Sequence, residues 1–112
     1  PNLIHMDGCG VSRAVLLTRY AAGEAAAATV GKHTDKFVWS VSADITKAEA
    51  EKEFTTAVKL GAKAFGELKF HVEANGPELR RAYALAADLD VPVLVHFQEV
   101  DHFPGEGKWS TG

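Results

Sequence analysis

The chain of 112 residues contains a single cysteine, Cys9, and a single methionine. One thiol can form neither a disulfide within the chain nor a zinc site built from cysteines. No apolar run approaches the roughly 20 residues that a membrane-spanning helix needs. Lysine and arginine form no cluster, and the formal net charge is −3. The sequence therefore predicts contact with neither a membrane nor a nucleic acid.

The composition is otherwise that of an ordinary globular protein, with 46% apolar and 24% charged residues. No linker or low-complexity segment interrupts it, so we expect a single domain over residues 1–112. The N-terminal residues show no basic segment followed by an apolar one, as an export signal would. We expect a cytoplasmic protein whose true N-terminus lies before Pro1.

Four apolar stretches with the character of buried strands alternate with helical stretches along the chain. The predicted strands cover residues 11–18, 37–43, 63–70 and 92–96. Alternation of strands and helices is typical of βαβ units and predicts an α/β fold with a parallel sheet.

Three local signals place the helix ends. Thr46 and Glu49 have the spacing of a capping box, which predicts a helix that starts at Thr46. Gly61 stands where that helix is expected to end in a left-handed residue. Pro77 suits the first turn of the next helix.

The last predicted strand ends on His96, after a valine-rich run that Pro92 opens. In parallel α/β sheets and barrels, ligands bind at the carboxyl ends of the strands. We therefore predict that His96 is a metal ligand. The alternative is a structural histidine, held by hydrogen bonds at the end of a core strand.

Four strands are too few to close a (β/α)8 barrel, which needs eight strands and about 250 residues. The first and last strands carry little that would prevent pairing with another strand. We expect a partial TIM barrel of about four parallel βα units, a half-barrel from a longer protein. On its own, such a unit is expected to form a homo-oligomer.

Three segments carry a resemblance to a known family. They are residues 6–16, residues 60–64 and residues 86–96, the last reading Ala-Ala-Asp-Leu-Asp-Val-Pro-Val-Leu-Val-His. Together they resemble the amidohydrolase-related branch of the amidohydrolase superfamily. Its members are TIM-barrel metal-dependent hydrolases and relatives of aminocarboxymuconate-semialdehyde decarboxylase. The similarity extends from about residue 3 to residue 103.

The resemblance implies that the four strands correspond to the second to fifth strands of the family's barrel. His96 then matches a histidine that binds a catalytic divalent metal ion, which we expect to be zinc. The remaining ligands would lie outside this chain, so the isolated chain is expected to be inactive. The implied reaction uses metal-activated water, whose pKa the metal lowers to about 7. Its small-molecule substrate would be a carboxylic ester, lactone or amide, or a small acid that a lyase decarboxylates.

Glu67 and Lys69 are candidate catalytic residues because residues two apart in a strand face the same side. They can form an internal ion pair or contact the substrate. In some members of the superfamily a carboxylated lysine bridges two metals, which is a further role for Lys69. Lys69 could alternatively form a Schiff base, as in aldolase barrels. A non-enzymatic, flavodoxin-like binding module is the third interpretation of the chain.

The remaining polar and aromatic candidates have mostly structural interpretations. Ser40 is expected to be a small polar residue of the core, and Trp39 an aromatic one. His102 follows the last strand and could touch the substrate, within the polar cluster of residues 99–102.

Overall fold

Four parallel strands form the centre of the structure, a computed structural model that describes residues 2–97. Helices flank the sheet, as expected of an α/β fold. The strands are β1 (Ala14–Arg19), β2 (Phe37–Ser42), β3 (Ala64–Leu68) and β4 (Val93–Val95). The helices are α1 (Asn2–Cys9), α2 (Gly23–Lys32), α3 (Ala50–Leu60) and α4 (Pro77–Asp88), with a 3₁₀ turn (Tyr20–Ala22) before α2.

The strands lie in the order β1-β2-β3-β4, and every neighbouring pair is parallel. β1 and β2 pair over their whole length, from Ala14 opposite Phe37 onward. Between β3 and β4 the register shifts, because Phe65 lies opposite Val93 whereas Leu68 lies opposite Val95. One extra residue of β3 is accommodated there, as in a β-bulge. The α/β class and the parallel sheet are thus confirmed.

One face of the sheet packs against the helices and forms the core. Side chains of a strand alternate between faces, and the buried aromatic residues Phe37 and Trp39 of β2 lie on this face. The ring of Phe54 in α3 stacks on that of Phe65 in β3, with centroids 4.2 Å apart. Trp39 also lies against Gly23 and Gly61, at the start of α2 and the end of α3. Trp39 is therefore a core residue, as predicted.

The opposite face of the sheet carries apolar side chains that the described residues leave uncovered. Val15, Leu17, Val38 and Leu94 are between 38% and 54% exposed, and we call the surface they form the open face. Ser40 is the exception on this side of β2, since only 1% of it is exposed. Its hydroxyl donates to the carbonyl oxygen of Gly66 at 2.6 Å, which satisfies a small polar residue inside the sheet as predicted.

The predicted capping box is wrong. Helix α3 begins at Ala50, its N-cap is Glu49, and no side chain of residues 2–97 caps it. The backbone N–H and hydroxyl of Thr46 both donate to the carboxylate of Asp44 instead. A local turn around this aspartate competes with helix capping. The other end of α3 is as predicted, because Gly61 adopts the left-handed conformation with φ of +114°.

Helix α4 starts as the sequence indicates, with Pro77 in its first turn. Proline suits this position because its missing N–H would lack a partner within the helix anyway. Of the helices between residues 2 and 97, none has the length and apolar character to cross a membrane.

Candidate active site at the carboxyl ends of the strands

Charged and titratable side chains collect at the carboxyl edge of the sheet. Arg19 ends β1, Asp44 follows β2, Glu67 lies in β3, Lys69 follows β3 and His96 follows β4. Because all four strands are parallel, their carboxyl ends lie side by side along one border of the sheet, across the direction of the strands. We call this border the rim.

His96 continues the pairing of β4 beyond its last strand residue. Its backbone N–H donates to the carbonyl oxygen of Leu68 at 2.9 Å. Val93 and Val95 pack against the helix-covered core, so the alternation of side chains directs Leu94 and His96 to the opposite face. The histidine therefore lies at the rim and faces away from the helices.

The His96 ring contacts the carboxylate of Glu67, on the neighbouring strand. Nδ1 of His96 lies 2.8 Å from Oε1 of Glu67, and the two side chains are 22% and 39% exposed. In a neutral imidazole the hydrogen then sits on Nδ1 and the lone pair on Nε2. The carboxylate thus sets both the orientation and the tautomer of the ring.

Gly66 brings these two strands together beside the pair. Its φ is +123°, and an added Cβ atom would overlap with the carbonyl oxygen of Leu94. A non-glycine residue could fit only if β4 moved away. The close approach at Gly66 therefore helps to hold Glu67 within hydrogen-bonding distance of His96.

A cleft of about 710 Å³ opens at the rim between the ends of β1, β2 and β3. Its lining includes the cations of Arg19 and Lys69 and the carboxylates of Asp44, Glu53 and Glu67. Apolar walls with a few polar groups are typical of small-molecule sites. In this cleft the charged side chains share the lining with apolar ones, such as Leu17 and Phe70.

Asp44 is held in its ionised form by its own loop. The hydroxyl and backbone N–H of Thr46, together with the nearby charge of Lys47, lower the pKa of Asp44 below the ordinary 3.8, although partial burial opposes the shift. Hydrogen bonds to a carboxylate favour the charged state. The rim therefore carries a fixed negative charge beside the cleft at neutral pH.

A complete metal site would need more ligands than residues 2–97 bring together at the rim. A zinc ion takes about three protein ligands in catalytic sites. Residues 2–97 hold no cluster of three or more His, Cys, Asp or Glu side chains arranged to bind a metal. His96 fits one ligand position, with Glu67 as the carboxylate that orients it. Further ligands would have to come from outside the described part of the chain.

Of the other predicted site residues, one lies in the cleft and the rest lie outside residues 2–97. Lys69 lines the cleft next to Glu67, and its predicted ion pair with Glu67 stays a prediction. His102 and the cluster of residues 99–102 lie outside the described residues.

Sequence reasoning missed Arg19 and Asp44 as parts of the rim. Both residues lie at the carboxyl ends of the first two strands. The position at a strand end, from which His96 was predicted as a site residue, could have identified them as well.

Comparison with known proteins identifies no relative of this chain. The chain matches no family model, and no curated protein or solved structure shows significant similarity to it.

Proposed function

We propose that the chain forms half of a metal-dependent hydrolase barrel of the amidohydrolase type. In this proposal His96 is one ligand of a divalent metal ion, such as zinc. The observation that carries the proposal is the contact between His96 and Glu67 at the carboxyl edge of a parallel sheet, on the face away from the helices.

The strand order supports a barrel. Doubly wound sheets, such as the flavodoxin-like ones, reverse the order of their strands at a switch point. The four described strands follow one another without a reversal. A barrel also needs one sheet face free of helices and filled by branched apolar side chains. The open face, with Val15, Leu17, Val38 and Leu94, has this character.

The partner of His96 supports a ligand role. Histidines that bind metals usually donate their other ring N–H to a carboxylate or carbonyl group, which fixes the ring and makes it more basic. Glu67 would do this for Nδ1, so that Nε2 would bind the metal. A bound metal would supply an acidified water molecule for attack on a carbonyl carbon. Lys69, in the cleft beside this pair, would bind an anionic group of the substrate.

The proposed reaction is hydrolysis of a carboxylic ester, lactone or amide, or decarboxylation of a small acid. Its remaining metal ligands belong to the other half of the barrel. We therefore expect the isolated chain to hold zinc weakly and to show no turnover. Tightly held stoichiometric zinc together with hydrolytic turnover in the isolated 112-residue chain would contradict this division of the site.

Histidine-selective NMR tests the ligand role directly. Zinc is titrated into protein labelled with ¹⁵N in its imidazole rings, and Nε2 of His96 is expected to respond at lower zinc concentration than the exposed His5. Glu67→Gln is expected to weaken the response about 10-fold, because losing the orienting partner of a ligand costs 10–100-fold in metal affinity. His5→Asn is the control and leaves the response of His96 unchanged. If His96 responds no earlier than His5, the metal proposal is wrong.

A second candidate function follows from the position of Lys69 in the cleft. A lysine there could attack a carbonyl carbon and form a Schiff base. Borohydride trapping with a panel of keto acids would then add mass at Lys69, and Lys69→Gln would abolish the trapping. Lys63→Gln, at an exposed position just before β3, is the control. Absence of trapping across the panel would count against the aldolase candidate.

A further inference from the structure

Among the described residues, nothing covers the open face, and the outer edges of β1 and β4 have no neighbouring strand. We propose that a second copy of this chain covers the open face, and that the two copies close an eight-stranded parallel barrel. The inference depends on the half-barrel part of the proposed function but not on its chemistry.

Both outer edges of the sheet offer hydrogen-bonding groups. Within residues 2–97, β1 pairs only with β2, and β4 pairs only with β3. The N–H of Ala14 donates to the carbonyl oxygen of Lys36, toward β2. Successive amides of a strand point to alternate sides, so those of Val15 and Leu17 point toward the outer edge. Apart from Arg19 at its end, β1 has no charged residue that would discourage pairing.

A copy of the same chain fits both edges at once. Since all four strands are parallel and sequential, a two-fold rotation can place β4 of one copy beside β1 of its partner in the same direction. The same operation pairs the other two edges, so the assembly closes. Four strands from each copy make eight, the number at which the interior is just filled by side chains.

The area and composition of the open face suit this occupant. The four strands have 6, 6, 5 and 3 residues. At about 3.3 Å per residue and about 4.8 Å between strands, they present on the order of 300 Å² per copy. Two such faces contribute about 600 Å², and the strand edges that become paired bring the buried area toward the roughly 1,000 Å² that a specific interface needs. Below the rim the face is apolar or small, with Leu17 and Val38 beside Ser40. The closed barrel would also bring two pairs of His96 and Glu67 to one mouth.

Sedimentation velocity on the chain, with a matched pair of variants, tests the association. The wild-type protein is expected to sediment as a dimer. Leu17→Glu, which places a carboxylate in the proposed interior, should raise the dissociation constant by roughly 100-fold or more. Leu60→Glu is the control, because Leu60 is 45% exposed, similar to the 54% of Leu17, but lies in α3 on the helical side. A monomeric wild-type protein, a larger assembly, or equal effects of the two variants would overturn the proposal.

Hydrogen exchange of the wild-type protein separates a closed barrel from two sheets stacked face to face, and it needs no variant to fold. Closure pairs the outer edge of β1, so the amides of Val15 and Leu17 are expected to be protected in the dimer. Face-to-face stacking would leave these amides exchanging rapidly, and that result would refute the barrel. Neither experiment involves zinc, so their failure is distinct from a failure of the metal titration.

Discussion

Gly66→Ala is the substitution for which the structure predicts the largest local effect near the candidate site. The left-handed backbone at Gly66 costs an alanine about 1–3 kcal/mol. The new Cβ atom would overlap with the carbonyl oxygen of Leu94 and lie 3.0 Å from its Cβ atom. Relieving this overlap requires β4 to shift, which costs a further 1–3 kcal/mol or so. We expect a total loss of about 4 kcal/mol in the free energy of unfolding, a large part of the 5–15 kcal/mol typical of a domain.

Urea denaturation followed by far-UV circular dichroism measures this loss. The midpoint should fall while the slope of the free energy against urea stays the same, because the surface exposed on unfolding hardly changes. Gly31→Ala is the matched control, since Gly31 lies exposed in α2 and an added Cβ atom would meet no atom of residues 2–97 within 4 Å. Because Gly31 is the next-to-last residue of the helix, alanine should stabilise the protein by less than the roughly 1 kcal/mol expected in a helix interior.

The two variants together decide whether the strands really approach so closely. If Gly66→Ala retains stability within about 1 kcal/mol of the wild type while Gly31→Ala behaves as expected, the close contact of β3 with Leu94 is refuted. A destabilised Gly66→Ala variant should also respond more weakly to zinc at His96, because the displaced β4 carries that histidine away from Glu67.

Two further predictions concern the core and the rim. Phe54→Ala removes the ring stacked on Phe65 and should lower the free energy of unfolding by about 3–5 kcal/mol, measured by urea denaturation. Leu60→Ala in the same helix should lower it by less than about 1 kcal/mol, because Leu60 is 45% exposed. Similar losses for the two variants would contradict the assigned core. Thr46→Val removes the main cause of the lowered pKa of Asp44, so this pKa should rise toward 3.8 in a carboxyl ¹³C titration. A carboxyl group with a lowered folded-state pKa stabilises the fold above its unfolded pKa, and the stabilisation disappears as the pH falls through the folded pKa. The wild type should therefore have a higher free energy of unfolding than Thr46→Val at neutral pH, and this difference should vanish in strong acid. Thr34→Val is the control and should leave the pKa of Asp44 unchanged.

Periodicity was sufficient to predict the α/β class and the parallel sheet, because buried parallel strands and amphipathic helices repeat with different periods. All four strands lie within a few residues of their predicted positions, and the half-barrel stays a prediction. The capping box failed because Thr46 had two possible hydrogen-bonding partners, and only the path of the loop decided that Asp44 was the nearer one.

The sequence by itself determined the parallel α/β sheet and the place of His96 at the end of its last strand, because local patterns of apolar residues specify elements and their direction. Only the tertiary structure decided that Glu67 contacts His96, that Gly66 lies against Leu94, and that the described residues leave one sheet face uncovered. The first two depend on the register between β3 and β4, which is shifted by one residue of β3. Gly66 within the strand is a local signal of a bulge, but the packing of the two strands together decides which residues pair.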